Sequence, residues 1–250
     1  MSRTLGWRAL VAVFLRAFLI QGSWNYRTMQ GSGFAFSLVP ALRELHGDDV
    51  KGYEEALRRH LEHFNAHPYL AHLALGAVLR LEAEGEGAEG IRRFKGAIRG
   101  PLGGIGDALV WASWLPAVSL TALSLIWLGF SGWWVILGFL ALYNSGHLSL
   151  RLWSFRAGWA GGRAVGRLLG AAALGGWTER VRSVAGLALG LFIGVILAGE
   201  GGLGSAGASW TALAAAAFVV GAVVGQRLWR PATAAVVAAV ALLATWGWIA

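Results

Sequence analysis

Residues 100–130, GPLGGIGDALVWASWLPAVSLTALSLIWLGF, open on a cluster of glycines and then run from Ala108 to Phe130 without a charged side chain. An uncharged stretch of that length, at about 1.5 Å per residue, is enough for a helix to cross the roughly 30 Å hydrocarbon core of a bilayer. The rest of the 250-residue chain agrees: 56% of it is hydrophobic and 14% charged, with a mean hydropathy of +0.58. That is too apolar for an ordinary water-soluble domain. Five apolar runs follow one another, at 108–130, 132–150, 184–199, 210–225 and 232–250. The shorter ones leave tilt, local thinning or re-entrance open. The expected fold is therefore an all-α integral membrane protein. Cytoplasmic or interfacial amphipathic helices in the N-terminal part precede about five membrane-spanning or re-entrant helices.

Charge divides the chain in two. Residues 1–100 hold 13 of the 21 Lys and Arg and 10 of the 13 Asp and Glu, and residues 101–250 keep only Asp107, Glu179 and Glu200 as acids. Segment 151–183 carries Arg151, Arg156, Arg163, Arg167, Arg180 and Arg182, and segment 226–231 carries Arg227 and Arg230. The turns around Ser131 and from Gly199 to Ser209 carry no basic residue. Alternating basic and neutral connections are the positive-inside pattern, which puts residues 1–100 on the cytoplasmic side and Ala250 outside. The net charge of +8 is explained by this placement, so nucleic acid is not an expected partner and membrane lipid is. There is no cysteine, hence no disulfide or thiolate metal site.

Within the N-terminal part, LGWRALVAVFLRAFLI (5–20) is interrupted by Arg8 and Arg16 and lacks a clear cleavage site, which favours an interfacial amphipathic helix over a signal peptide. Tyr53, Leu57, Leu61 and Phe64 recur at helical spacing, with Glu54–Arg58 and Glu55–Arg59 as i,i+4 pairs, so 50–64 reads as a helix ended by Pro68. EAEGEGAEG (82–90) reads as a charged surface linker.

Glycine repeats every four residues at Gly158, Gly162, Gly166 and Gly170, at Gly186, Gly190 and Gly194, and at Gly221 and Gly225. In lipid, helices associate through close backbone approach across such small-residue faces, and these are the expected helix-packing positions. The glycines of 100–106 invite a different comparison, with a phosphate-binding loop. That loop requires GxxxxGK[ST], and a dinucleotide fingerprint requires a preceding strand; both are missing. Asp107 is expected instead near a helix start, capping free N–H groups, with side-chain-free backbone at 100–107 available to line a path through protein. His60, His63, His67 and His72 have spacing compatible with a metal, but His67 precedes a proline and no carboxylate stands out beside them, so no metal or cofactor is expected.

GSWNYRTMQGSGFAFSLVPALREL (22–45), RRHLEHFNAHPYL (58–70) and GPLGGIGDALVW (100–111) resemble, in order and spacing, the three signature blocks of the IID component of the mannose/fructose/sorbose-type sugar phosphotransferase system. The resemblance continues through LYNSGHLSLRLWSFRAGWAGG (142–162). It implies a multi-pass subunit of the bacterial cytoplasmic (inner) membrane, not itself phosphorylated, that pairs with a IIC membrane subunit to translocate a mannose-type hexose. Cytoplasmic IIA and IIB phosphocarrier proteins would deliver the phosphate that traps the sugar. The matching positions are Ser23, Trp24, Asn25, Gln30, Gly31, His60, Asn65, Pro68, Gly100, Pro101, Gly104, Gly106 and Asp107. Asn, Gln and Asp can bond sugar hydroxyls and Trp can stack on a pyranose face. The family tends to carry a basic residue just before the proline that is Pro116 here, where this chain has Trp114 and Leu115, and Trp159 stands where the family has tyrosine. These departures keep a second reading open, a divergent non-transporting scaffold or regulatory subunit of an incomplete system. A membrane enzyme has no nucleophile–base pair or paired carboxylates in the apolar half to support it.

Overall fold

The computed structural model describes residues 4–170 and 173–199. Within them every regular element is helical, and extended pairing is limited to isolated bridges between Asn25 and Met29 and between Met29 and Phe64. The chain forms two compact units. One takes the chain to Ala108 and then Asn144–Gly176; the other takes Leu109–Tyr143 and the chain from Trp177 on.

The first unit is built from α1 (Trp7–Arg16), α2 (Gly31–His46), α3 (Val50–Leu61), α4 (Ala71–Ala83) and α5 (Ala88–Gly106), joined by the later part of α7 (Gly132–Gly161) and by α8 (Val165–Gly170). α4 is its centre: Leu73, Leu75, Val78 and Leu79 are fully enclosed, as are most of its other side chains. A helix that is apolar all round must be buried, and at about 20 Å this one is too short to cross a bilayer, so its place is the core. Two glycines set its distance from α7. A Cβ at Gly76 would collide with the Phe155 carbonyl, and one at Gly158 would collide with the Leu73 carbonyl, so the two backbones touch. The four-residue glycine series starting at Gly158 does not continue as one groove. Gly162 opens a short 3₁₀ turn with φ at +46° and lies against Arg80, while Gly166 on α8 faces open space. Gly170 ends α8; Gly186 and Gly194 face open space on α9 (Ala173–Gly199), which also contains Gly190.

Several local expectations change. α3 ends at Leu61 as Glu62 turns extended, well before Pro68, because Phe64 leaves the helix to enter the core. Glu82 is the buried last turn of α4 and not part of a linker; the turn is confined to 84–87 before α5 starts. Asp107 caps nothing. α5 runs through Pro101 and the glycines without a break, passes into a wide π-helical stretch at Asp107–Trp114, and continues as α6 (Leu115–Trp127). Pro116 has no N–H to give the Ala112 carbonyl, and the wide turns ahead of it accommodate that missing bond. The basic segment 151–183 is helical over its described length.

The helix Ala88–Trp127 is, among the described residues, the one long and apolar enough to cross a membrane. In the second unit, α6 ends at Trp127, and the turn after it passes through Gly129, whose φ is +87°. After it, Trp133 and Trp134 at the start of α7 are 78% and 76% exposed, and Ile136, Leu137 and Leu140 are also outward. A surface of this kind is stable against hydrocarbon and not against water. The runs 210–225 and 232–250, with Gly221 and Gly225, lie outside the described residues.

Candidate functional site

Two of the three blocks are zipped together by backbone and side chain. Asn25 folds its own turn: Oδ1 accepts from the Arg27 and Thr28 N–H groups, and Nδ2 donates to the Ser23 carbonyl at 3.2 Å. Ser23 and Ser32 hydroxyls meet at 2.7 Å, tying this turn to α2. The chain then pairs with the second block through Phe64 N–H to the Thr28 carbonyl and Gln30 N–H to the Phe64 carbonyl. Met29 sits between these bonds at φ +54°, a left-handed conformation unusual for a side chain with a Cβ and held by the pairing on both sides.

Gln30 completes the zipper. It is buried, donates Nε2–H to the Ala66 carbonyl at 2.7 Å and accepts the Ala66 N–H on Oε1 at 3.2 Å. Its amide thus replaces a peptide group in the ladder, and Gln30 is a scaffold residue. Gly31 lets the start of α2 touch the Leu61 and Glu62 carbonyls. Trp24 is half exposed and stands edge to face with the outward Tyr26, ring centres 4.8 Å apart. Asn65 is exposed, Pro68 buried.

Beneath the second block lies a charge cluster. Arg59 grips Glu82 with two parallel bonds, Nε to Oε1 at 2.7 Å and Nη2 to Oε2 at 2.6 Å. His60 Nε2 reaches Oε1 at 2.7 Å, and Lys95 donates to the Arg59 carbonyl at 2.9 Å from a position over the Phe34 ring. A carboxylate only accepts, so Nε2 of His60 carries the proton and the bare Nδ1 points into the core without a partner. Burial pushes His60 down to about 4, against the pull of Glu82. Glu82 falls to about 2, because the bonds from His60 and Arg59 outweigh burial, which acts the other way. Arg59 therefore pairs with Glu82 across elements, not with Glu55 along the helix; Glu54–Arg58 does meet, at 3.9 Å on the surface.

The third block joins the second at one point. Gly106 leaves room for the His67 side chain, which a Cβ there would strike. Gly100 and Gly104 face open space, Pro101 is exposed within α5, and Asp107 is exposed at the first residue of the π-helical stretch. Such wide turns recur at functional positions. Behind His67, the buried Arg151 of α7 lies over the rings of Phe18 and Tyr69 at 4.5 and 4.4 Å and reaches His72 Nε2 at 3.4 Å. Burial first, and Arg151 second, lower His67 to about 4 and His72 to about 3. His63 is on the surface against Arg99. His60 and His63 thus have partners of their own while His67 and His72 share Arg151, and no group able to hold a metal occurs among the described residues.

Glu82, Arg151, Gly76 and Lys95 were not singled out by sequence. Arg151 is a lone charge within the apolar run LSLRLWSF, which is the signal that marks it, whereas Glu82, with Arg80 and Glu84 two residues away on either side, carries no such signal. The arrangement contains no nucleophile with an adjacent base. Its chemistry is that of a rigid polar scaffold beside a surface on which Asn65, Gly100, Pro101, Gly104 and Asp107 are exposed.

A family model described as the PTS system mannose/fructose/sorbose family IID component matches residues 4–199. The chain is 35% identical over 189 residues to the PTS system mannose-specific EIID component of Escherichia coli (strain K12), covering 72% of this chain and 63% of that protein. It is 32% identical over 123 residues to the fructose permease IID component of Bacillus subtilis (strain 168), covering 47% and 44%. Among solved structures it is similar to the cryoEM structure of the mannose transporter ManYZ and microcin E492 (MceA) complex, with 33% identity, a TM-score of 0.59, and coverage of 77% of this chain and 71% of that one. A second, described as the structure of a membrane protein, gives 33% identity, a TM-score of 0.68, and coverage of 75% and 70%. The chain spans 63% of the length of the mannose-specific relative.

Proposed function

We propose, from the fact that this chain belongs to the mannose/fructose/sorbose family of IID components of the sugar phosphotransferase system, that it is the IID membrane subunit of such a system. In this reading it joins a IIC subunit in the bacterial inner membrane to pass a mannose-type hexose, while IIA and IIB carry the phosphate. The chain is then a non-catalytic subunit. The five-span count, the division at residue 100 and the cytoplasmic placement of the N-terminal half belong to the same proposal and rest on the alternation of basic and neutral connections.

The observation that carries it is the joining of the three blocks in one unit, the first to the second through Gln30 and the second to the third through His67 and Gly106. This leaves Asn65, Gly100, Gly104 and Asp107 on the surface, where hydrogen-bonding side chains and bare backbone can face a passing solute or a partner. The test is sugar uptake by cells in which the chain is replaced by Asp107→Asn or Asn65→Ala. Uptake is expected to fall at least tenfold with the amount of assembled complex unchanged. Uptake that is absent from the native chain, or indifferent to both substitutions, favours the non-transporting scaffold, for which Leu115 in place of a basic residue is the motivating observation.

A further inference from the structure

α1 is apolar on both sides. Ala9, Val13 and Ala17, followed by Ile20, are buried against the first unit. On the opposite side Trp7, Val11, Leu15 and Leu19 recur every fourth residue and are 69%, 45%, 59% and 60% exposed, with Phe18 beside them. A helix turned to water carries polar residues on its outer face; this one carries large apolar residues there, although Leu10 and Phe14 already join its buried side.

Charge decides what covers the stripe. The first 43 residues contain Arg3, Arg8, Arg16, Arg27 and Arg43 and no acid. The first acid, Glu44, accepts the Gly6 N–H at 2.5 Å and is thus engaged at the helix start. Arg8 is exposed with its guanidinium 5.7 Å from the Trp7 ring centre. Arg16 lies over the exposed Phe36 ring at 4.8 Å and donates to the Phe36 carbonyl. Arginine heads beside outward aromatic rings at the edge of an apolar stripe match the headgroup boundary of a bilayer, where stems and rings enter the apolar layer and charges stay with phosphate. The exposed Trp24–Tyr26 pair adds two more such rings.

We propose that α1 lies in the headgroup layer of an anionic leaflet, with Trp7, Val11, Leu15 and Leu19 in the acyl chains and Arg8 and Arg16 on lipid phosphates. The assignment holds whether or not the chain moves sugar.

The chain has no cysteine, so single cysteines introduce unique probes. Nitroxide labels on Val11→Cys, Leu15→Cys and, as a surface control on α3, Lys51→Cys are placed in the full chain, in nanodiscs of equal phosphatidylcholine and phosphatidylglycerol. Labels at 11 and 15 are expected to relax with oxygen and to be shielded from an aqueous nickel chelate, with the reverse at 51. Arg8→Gln and Arg16→Gln are each expected to weaken retention of phosphatidylglycerol through detergent washing about fivefold. Labels at 11 and 15 open to the nickel chelate overturn the proposal by showing a water-facing helix. Labels closed to both reagents overturn it by showing a protein cover. Unchanged lipid retention in both arginine variants overturns the anionic assignment.

Discussion

Glu82 is the carboxylate on which the buried charge cluster of the first unit closes, bonded by both Arg59 and His60. It neutralises Arg59 in a place only a few per cent exposed, with Lys95 close by. Glu82→Gln leaves that guanidinium buried without its counter-charge and is expected to destabilise the chain by about 3–5 kcal/mol. Thermal unfolding in detergent measures it; an unchanged midpoint contradicts the cluster. The pH dependence follows from the same groups. His60, His67 and His72 are all lowered from 6.5, so the unfolded chain binds more protons as pH drops, and their contribution is complete above pH 6.5 and lost towards their folded values of about 4, 4 and 3. Glu82, lowered from 4.5 to about 2, adds its own loss between those values. The unfolding midpoint is expected to be level just above pH 6.5 and to fall steadily below it. A midpoint that rises on acidification contradicts these assignments. The matching residues of the three blocks were legible in the sequence, but their roles were not. Gln30 reads as a sugar-bonding amide until Ala66 is found 36 positions away. Glu82 reads as linker because EAEGEG is polar and glycine-rich, and only the packing of α4 extends the helix that far.

At the scale of elements, close approach between α4 and α7 distinguishes glycines that look alike in sequence. Gly158→Ala drives a Cβ into the Leu73 carbonyl and is expected to cost about 1–3 kcal/mol. Gly166→Ala meets nothing and gains helix propensity, up to about 1 kcal/mol of stability. Comparison of the two unfolding midpoints checks the contrast, and equal effects contradict it. Here periodicity gave the right local signal at Gly158 but not its partner, since Gly76 lies alone in its helix and belongs to no repeat. The helix from Ala88 to Trp127 was hidden for the opposite reason. Five glycines and a proline between 96 and 106 argue for a loop by propensity, yet Ile98, Leu102 and Gly106 keep one face of α5 packed and hold it helical. Asp107 therefore stands at a π-helical widening, not at a helix start, and its proposed role is that of an exposed carboxylate at that widening.

On the scale of the whole molecule, composition already pointed to an apolar helical chain, and the outward Trp133 and Trp134 agree. Order along the chain did not reveal the division into units, because residues 144–176 rejoin the first one after the excursion through 109–143. That return depends on contacts such as Gly158 against α4, which no local pattern encodes. The role proposed for this chain is that of a IID subunit working with a IIC partner. It is tested most directly by isolating the tagged chain from its native membranes in mild detergent and identifying what accompanies it by mass spectrometry. Recovery of a polytopic IIC-like subunit in about equal amount is the result expected; a chain that emerges alone, or with unrelated membrane proteins, contradicts it.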